Sequence, residues 1–284
     1  MNGILIVDKP RDWTSHDVAA KLRGVCHEKR VGHSGTLDPM ATGVLAVFAG
    51  RATRAVEFAE ADEKEYVAHL RLGVATDTQD ITGQILRTAD GEVSREELEK
   101  ALGRFRGTID QLPPMYSAIK INGQKLCNLA RRGVEVERKA RSVAITKLEV
   151  TGREDGDWIL DVVCSKGTYI RALCNDIGQA LGCGGCMSGL RRVRAGVFTI
   201  DMAHSIEEIS ETPEKYLLPA DTLFAGKPML IADGMQEKKL RCGADFPIPA
   251  EDGEYRFYSE TGEFLMLGSV KDGTARTIKS FFEV

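Results

Sequence analysis

The sequence has no hydrophobic run long enough to cross a bilayer. The longest apolar runs, such as residues 44–48, cover only a few positions, whereas a membrane helix takes about 20. The N-terminus also lacks the charged start and the apolar stretch of a secretory signal. A chain of 284 residues with 43% hydrophobic side chains still buries a sizeable core. We therefore expect a soluble, cytoplasmic protein that does not contact a membrane.

A dense, even set of cysteines is also missing. The seven cysteines are spread along the chain, and their only C-x-x-C pair is Cys183 with Cys186. A structural zinc site would need a second pair, but Cys164 and Cys174 have neither that spacing nor a nearby histidine. The cysteine pattern predicts reduced thiols and no metal, since disulfide scaffolds belong to secreted proteins.

The chain has no overall excess of positive charge. Its net charge of −4 argues against a uniformly basic nucleic-acid binder. Residues 104–141, called here the basic window, nevertheless hold nine basic and three acidic side chains. Because phosphate attraction acts over a Debye length of about 10 Å, a local window is sufficient to bind nucleic acid.

Within the basic window, the sequence predicts a small projecting structure. Asn122 and Gly123 form a hairpin turn, and a short helix over 125–132 ends at Gly133. A hairpin and a basic helix inserted between core elements would suit a clamp on a phosphate backbone, although a solvated surface excursion is the alternative reading. Four cations cluster beyond what solubility needs: Arg131, Arg132, Arg138 and Lys139.

Strands and helices alternate without a regular βαβ rhythm, which favours an α+β fold. Ser15 is the predicted cap of a first helix, and residues 94–97 form a capping box that opens a helix to about residue 102. A further short helix is expected over 53–59, and Arg171 begins another. Apolar runs predict strands over 3–7, 44–48, 66–72 with 83–86 as its partner, 143–151, 158–164 and 190–200.

The last quarter of the chain has a different pattern. An acidic stretch over 207–214 is a candidate linker. Beyond about residue 226, short apolar runs alternate with Gly, Pro and Asp turns, which predicts a small β domain. Those runs cover residues 229–232, 255–258, 264–270 and 276–282.

Residues 31–43 form the most distinctive loop of the sequence. Gly32, Gly35 and Gly43 permit backbone angles closed to other residues, and Pro39 pushes Asp38 toward an extended conformation. Taken alone, the pattern is equally that of a loop whose aspartate only caps a turn.

Other motifs follow this loop in a fixed order, and an ordered set is far more specific than any one motif. They are Gly35-Thr-Leu-Asp-Pro39, Lys64-Glu-Tyr66, Pro113-Pro-Met-Tyr-Ser-Ala118, Ser165-Lys-Gly-Thr-Tyr-Ile-Arg171 and Leu190-Arg-Arg192 followed by Gly196-Val-Phe198. In order and separation they resemble the TruB family of tRNA pseudouridine-55 synthases, strongly over roughly residues 1–220 and weakly in the tail.

The resemblance implies a fold and a domain division. We expect a catalytic domain over 1–222, with a central mixed, mainly antiparallel sheet flanked by helices and loops, and with the basic window as an RNA clamp. A small PUA-like RNA-binding domain would follow over 226–284. Residues 228–284 hold seven basic and ten acidic side chains, so this tail is either a weak RNA contact or a structural cap.

The resemblance also implies a catalytic set. Asp38 would attack the sugar, attack the base or abstract a proton, and the sequence leaves these roles open. Arg171 would offset the desolvation of Asp38 and hold it in one orientation. Tyr66 would stack on the uracil, although a strand tyrosine by itself is more often packing.

The implied substrate is the T-arm stem-loop of tRNA, whose target uridine must be extruded before it can react. His33, Lys9, Tyr169 and Leu190 would help bind it, with the four cations of the basic window on the phosphates. His33 is otherwise a loop hydrogen-bonder and Lys9 a solvated turn lysine. No cofactor and no obligate protein partner are expected, and the chain should be monomeric.

Two further readings stay open. The protein could be an RNA-folding chaperone with incidental catalysis, or a synthase that depends on a guide RNA. The basic window argues for self-sufficient tRNA binding. Two stretches depart from the family pattern, Cys127-Asn128 and the Cys183-Gly-Gly-Cys186 loop, and both lie outside the catalytic set.

Overall fold

A computed structural model describes residues 1–61, 63–121 and 123–282. The described strands are β1 (Gly3–Lys9), β2 (Val31–Ser34), β3 (Thr42–Ala49), β4 (Lys64–Leu72), β5 (Val74–Thr76), β6 (Ile85–Thr88), β7 (Gly107–Gln111), β8 (Lys120–Ile121), β9 (Gln124–Lys125), β10 (Arg141–Glu154), β11 (Asp157–Cys164), β12 (Gly185–Ala195), β13 (Phe198–Thr199), β14 (Met229–Ala232), β15 (Phe246–Pro247), β16 (Gly253–Ser259), β17 (Phe264–Lys271) and β18 (Thr274–Ser280).

Eight described α-helices accompany these strands. The described α-helices are α1 (Ser15–Val25), α2 (Val56–Ala61), α3 (Arg95–Leu102), α4 (Leu126–Ala130), α5 (Ile170–Ala180), α6 (Ile206–Glu211), α7 (Pro213–Tyr216) and α8 (Gly234–Arg241). Short 3-10 helices cover Gly50–Ala55, Ile200–Met202 and Ala220–Phe224. None of the helices in the described part of the chain has the length and apolar character that a membrane crossing would take.

A nine-stranded sheet forms the centre, with the order β1-β3-β12-β4-β11-β10-β7, β2 beside β3 and β13 beside β12. Among its described pairings only β3 with β12 is parallel. The predicted α+β fold with a mixed, mainly antiparallel sheet is therefore confirmed. β3 is almost entirely buried, with Val44, Leu45 and Phe48 fully inaccessible, as its continuous apolar run predicts.

The predicted partner of residues 66–72 is wrong. β4 lies between β11 and β12, whereas β6 pairs with β5 in a separate two-stranded ribbon. The strand β4 ends at Gly73, whose φ of 81° lies outside the extended region and redirects the chain away from a hairpin with β4. The Gly73 amide donates to Gly184 O, which ties the turn to the start of β12.

Two helix starts were predicted with unequal success. Ser94 and Glu97 form the expected capping box of α3. The cap of α1, however, is Thr14, whose side chain and that of Asp17 bond reciprocally to the backbone. Ser15 is the first helical residue and is buried. Thr14 wins because its partner Asp17 stands at the third helical position, as a capping box requires.

The basic window folds into short elements. β8 and β9 pair as a hairpin, as predicted, although Asn122 of its turn lies outside the described residues. The following helix, α4, is shorter than expected, and Gly133 adopts a left-handed φ of 70° beyond it. The predicted acidic linker over 207–214 is wrong, because Ser205 and Glu208 form a capping box that begins α6 there.

The tail forms a five-stranded sheet with the order β14-β16-β17-β18-β15. Helix α8, which was not predicted, is capped by Asp233 and Gln236. The tail does not stand apart from the larger sheet, because Leu267 and Phe281 pack in one apolar cluster with Phe48 and Phe224.

Candidate active site

A cleft of about 1110 Å³ opens where the loop after β2 meets the start of α5. The loop over 35–40 forms one wall, and the segments 116–118 and 165–171 form the other. Tyr66 of β4 and Leu190 of β12 reach it from the sheet. The volume is at the large end of what a small-molecule pocket offers, so a nucleotide fits with room to spare.

Asp38 and Arg171 make a two-pronged ion pair in this cleft. Arg171 Nε donates to Asp38 Oδ2 at 2.8 Å, and its Nη2 donates to Oδ1 at 3.1 Å. The Arg171 side chain is 6% exposed, whereas that of Asp38 is 34% exposed. The arginine is thus buried behind the carboxylate, and the carboxylate faces the cleft. Paired bonds of this kind fix the plane of the carboxylate.

Arg171 is held by oxygens other than those of Asp38. Its Nη1 donates to Thr78 O at 3.1 Å and its Nη2 to Tyr116 O at 2.8 Å, and Asp80 Oδ2 lies 3.8 Å from its Nε. A cation in the first turn of a helix is opposed by the helix dipole. These oxygens supply the compensating negative potential.

Buried polar contacts also hold the Asp38 loop from behind. Ser15 Oγ accepts from Leu37 N at 2.9 Å and donates to Leu37 O at 3.2 Å. Lys9 Nζ donates to Pro39 O at 3.1 Å and to Trp13 O at 2.6 Å. The residues on both sides of Asp38 are therefore fixed to β1 and α1.

Lys9 is fully buried, so it is not a solvated turn lysine. It lies against the Asp38 loop, as β1 and that loop meet there, and its contact with the substrate stays a prediction. Burial lowers the pKa of Lys9 to about 8, against the opposing charges of Asp12 and Asp38. Its place under the loop makes it a positioning residue.

Tyr66 lies close to a fully buried arginine. Its side chain is 8% exposed, and burial raises its pKa, whereas the charge of Arg192 and a hydrogen bond from it act the other way. Arg192 Nε donates to Val44 O at 2.7 Å and Nη2 donates to Gly35 O at 3.0 Å. Arg192 therefore connects β3, the Asp38 loop and the tyrosine.

Tyr169 and Leu190 both line the cleft, Tyr169 half-buried and Leu190 9% exposed. Gln111 of β7 fixes the backbone of Tyr169 on two sides. Its Oε1 accepts from Tyr169 N at 2.8 Å and its Nε2 donates to Tyr169 O at 3.0 Å. The start of α5, which carries Arg171, is thereby held against the edge of the sheet.

His33 lies on β2, beside the cleft rather than in its lining. Its Nδ1 is buried without a hydrogen-bond partner among the described residues. Burial, and then the charges of Arg192 and His16, hold the pKa of His33 below its usual value.

The four cations of the basic window have different environments. Arg131 lines the cleft and is exposed, and Arg132 and Lys139 are exposed elsewhere on the same segment. Arg138 is half-buried, and its Nη1 donates to Pro113 O at 3.0 Å. Arg138 therefore supports the segment from inside, and the other three are accessible to phosphates.

Sequence reasoning missed three residues that build the site: Arg192, Asp80 and Gln111. Arg192 lies within the Leu190-Arg-Arg192 motif, but the sequence does not indicate which of the two adjacent arginines is buried. Asp80 accepts from Thr82 N at 3.0 Å and from Thr78 Oγ1 at 2.9 Å, so the Thr-x-Asp-x-Thr spacing was the available clue. Gln111 carried no signal, because its partner is backbone.

Solved structures share the fold over 99% of the chain. The structure titled "Crystal Structure of a Cbf5-Nop10-Gar1 Complex" superposes with a TM-score of 0.74 at 26% identity, covering 99% of this chain and 85% of that one. An H/ACA RNP bound to a substrate RNA containing 2'-deoxyuridine gives 0.73 at 24% identity, which shows the fold alone. Fold and sequence family together define a pseudouridine synthase, an isomerase.

The chain belongs to the TruB family. Residues 23–170 match the TruB family pseudouridylate synthase N-terminal domain, and residues 171–225 match the tRNA pseudouridylate synthase B C-terminal domain. It is 40% identical to the tRNA pseudouridine synthase B of Clostridium kluyveri over 99% of this chain and 100% of that protein. The protein of that name in Pseudomonas aeruginosa is 40% identical over 96% of this chain and 93% of its own length.

Proposed function

We propose that this protein isomerises uridine 55 in the T-loop of tRNA to pseudouridine. The names of its full-length relatives support tRNA as the substrate. The observation that carries the chemistry is the Asp38–Arg171 pair, which presents an oriented carboxylate to a nucleotide-sized cleft. This geometry supports a catalytic role for Asp38 over simple capping of a turn.

The reaction exchanges one bond to the sugar for another. The bond between the sugar and a uracil nitrogen breaks, the base turns over, and a uracil carbon forms the new bond to the same sugar carbon. The hydrogen on that carbon leaves as a proton, and the released nitrogen takes one up. Asp38 acts on the flipped nucleotide, and Arg171 keeps its carboxylate aligned so that no reorganisation is needed as the bonds change.

The aromatic and apolar side chains of the cleft are proposed to hold the flipped base. Tyr66 stacks on the uracil, while Tyr169 and Leu190 form the walls. Extrusion of a base costs a few kcal/mol, and stacking returns about 1–3 kcal/mol per base. His33 supports the nucleotides left behind, and Arg131, Arg132 and Lys139 bind phosphates of the same arm.

We propose the organisation that the sequence predicts. We assign residues 1–222 to catalysis, with the basic window as clamp, and residues 226–284 to a PUA-like module. The enzyme works as a monomer in the cytoplasm without an obligate protein partner. An RNA-folding chaperone activity of the same surface would accompany the isomerisation.

The guide-dependent alternative predicts that the protein is inactive on tRNA alone. Purified protein is incubated with unmodified tRNA alone, and pseudouridine is mapped by position. Product at position 55 without another protein or RNA supports the proposal. Activity that requires a separate guide RNA, or product at other positions only, contradicts it.

The amount of RNA required is tested separately. A T-arm stem-loop presents the compact local shape that one cleft and one clamp can recognise. Single-turnover kinetics on this hairpin should give product, more slowly than on full tRNA if the tail grips the acceptor side. No product on the hairpin would mean that the whole tRNA is read.

A further inference from the structure

A second set of accessible cations lies on the unit formed by α1 and β2. Thr14, which caps α1, and Gly35, which follows β2, both line the cleft. α1 leads away from the cleft, β2 returns to it, and the two elements pack against each other. The unit is thus an arm with its base at the cleft.

One flank of α1 faces the β2 side of this arm. His16 and Arg23 stand seven residues apart, which places them on one helical stripe. His16 lies near His33 of β2, because its charge lowers the pKa of that histidine. Lys21 is two positions from Arg23, so it lies about 200° around the helix on the other flank.

The far end of the arm adds two cations in the turn between α1 and β2. Lys29 and Arg30 are exposed, as is Arg23. Within the described ranges none of these three side chains has a hydrogen bond or an ion pair, in contrast to Arg191, which pairs with Asp8. Three exposed positive charges therefore stand together in a chain whose net charge is −4.

Glu28, the acid within this turn, carries one charge and interacts with that of Arg30, so it offsets at most one of the three cations. Glu28 Oε1 accepts from the backbone amide of Arg30 at 3.0 Å, and its Oε2 lies 3.9 Å from the N-terminal ammonium. A favourable interaction with the helix dipole would by itself explain Arg23, which lies in the last turn of α1. It does not explain Lys29 and Arg30, which lie beyond the end of the helix.

The distance from the cleft indicates the kind of ligand. From Thr14 to the end of α1 is 11 residues, or about 16 Å at 1.5 Å per residue. A nucleotide in the cleft does not extend so far, but the stem that continues from its loop does. We propose that Arg23, Lys29 and Arg30 bind the phosphate backbone of the stem whose loop occupies the cleft. This rests on the proposed function, since it needs an RNA arm in the cleft.

The test measures affinity against stem length. Hairpins share one T-loop and carry stems of increasing length, and dissociation constants are measured for wild type, for Arg23→Gln/Lys29→Gln/Arg30→Gln and for a control. The matched control is Lys21→Gln/Lys100→Gln/Lys215→Gln, which removes the same charge from exposed positions outside the cleft, the basic window and the tail. Equal melting temperatures of all three proteins exclude a folding defect.

The wild type and the control should gain affinity as the stem lengthens, and the triple variant should not. On the longest stem the variant's log–log salt slope should fall by about 0.7–0.9 per lost phosphate contact, roughly 2–3 in all. Equal gains by wild type and triple variant, or no gain by either, would overturn the inference. Stem-dependent binding without pseudouridine formation by the wild type would instead refute the proposed function alone.

Discussion

The cleft and the basic window use arginine in opposite ways. Arg171 is 6% exposed and bonded to a carboxylate and two carbonyls. Arg131 and Arg132 are exposed and have no side-chain partner among the described residues. A buried, fully bonded guanidinium orients a neighbour, whereas an exposed one attracts phosphate at long range and is screened by salt. The two regions should therefore fail in different measurable ways.

The largest effect is expected at Asp38. Asp38→Asn keeps the shape of the side chain and removes its charge, so isomerisation should fall by at least about a thousandfold, while tRNA affinity stays within about tenfold. The measurement is release of tritium from the uracil carbon that forms the new bond. Substantial turnover by this variant would remove Asp38 from the chemistry.

Arg171→Lys should separate orientation from charge. A lysine keeps the positive charge but cannot make two parallel bonds to Asp38, so kcat should fall by about a hundredfold with little change in the salt dependence of binding. The matched control is Arg191→Lys at the paired but more exposed Asp8 site, where activity should be retained. Equal losses in both variants would argue against a special role for the buried pair.

Substitutions in the basic window should change tRNA affinity and not the rate of the chemical step. Replacing Arg131, Arg132 and Lys139 by glutamine should weaken tRNA binding and lower the log–log salt slope by up to about 0.7–0.9 per contact.

Adding Arg138→Gln should leave that slope unchanged and lower the melting temperature instead, because Arg138 bonds to Pro113 O inside the segment. A further drop in slope with the fourth substitution would show that Arg138 also contacts RNA.

The smallest effect concerns Lys9 and pH. Its pKa is lowered from 10.5 to about 8 by burial, so between pH 8 and 10.5 the unfolded chain holds a proton that the folded chain has released. Stability from this group therefore rises with pH across that window. The free energy of unfolding, measured by denaturant titration at several pH values from 7 to 10.5, should rise less with pH in Lys9→Met than in the wild type. Identical pH profiles would mean that Lys9 keeps its proton in the fold.

What the sequence predicts well is what adjacent residues determine. The apolar run of β3 and the Ser94 capping box predicted their elements because both signals are local. The partner of β4 was mispredicted, since pairing is decided by which strands meet across the sheet and not by proximity along the chain. The α1 cap was also missed, because two hydroxyl residues stand side by side and only the position of Asp17 distinguishes them.

The candidate site shows the same limit. The motifs predicted Asp38, Tyr66 and Arg171, and the structure brings all three to one cleft, although their roles stay predictions. The burial of Arg192 and the hydrogen bonds from Gln111 to the backbone of Tyr169 could not be foreseen, because each depends on contacts between segments far apart in the sequence. The burial of Lys9 was unforeseen for the same reason, since its acceptors include a carbonyl 30 residues away.

The parallel contact between β3 and β12 also bears on the stage of folding at which the candidate active site is assembled. Gly43 faces Arg192 there, with φ at 101° and no room for a Cβ beside Arg192 O, and Asp38 and Arg171 are 133 residues apart. Contacts of such long range form late, because much chain must be ordered first. A chain that ends before Arg171 contains Asp38 but lacks the guanidinium that orients its carboxylate. If the proposed mechanism holds, the nascent protein should stay inert toward RNA chemistry until its central sheet has closed.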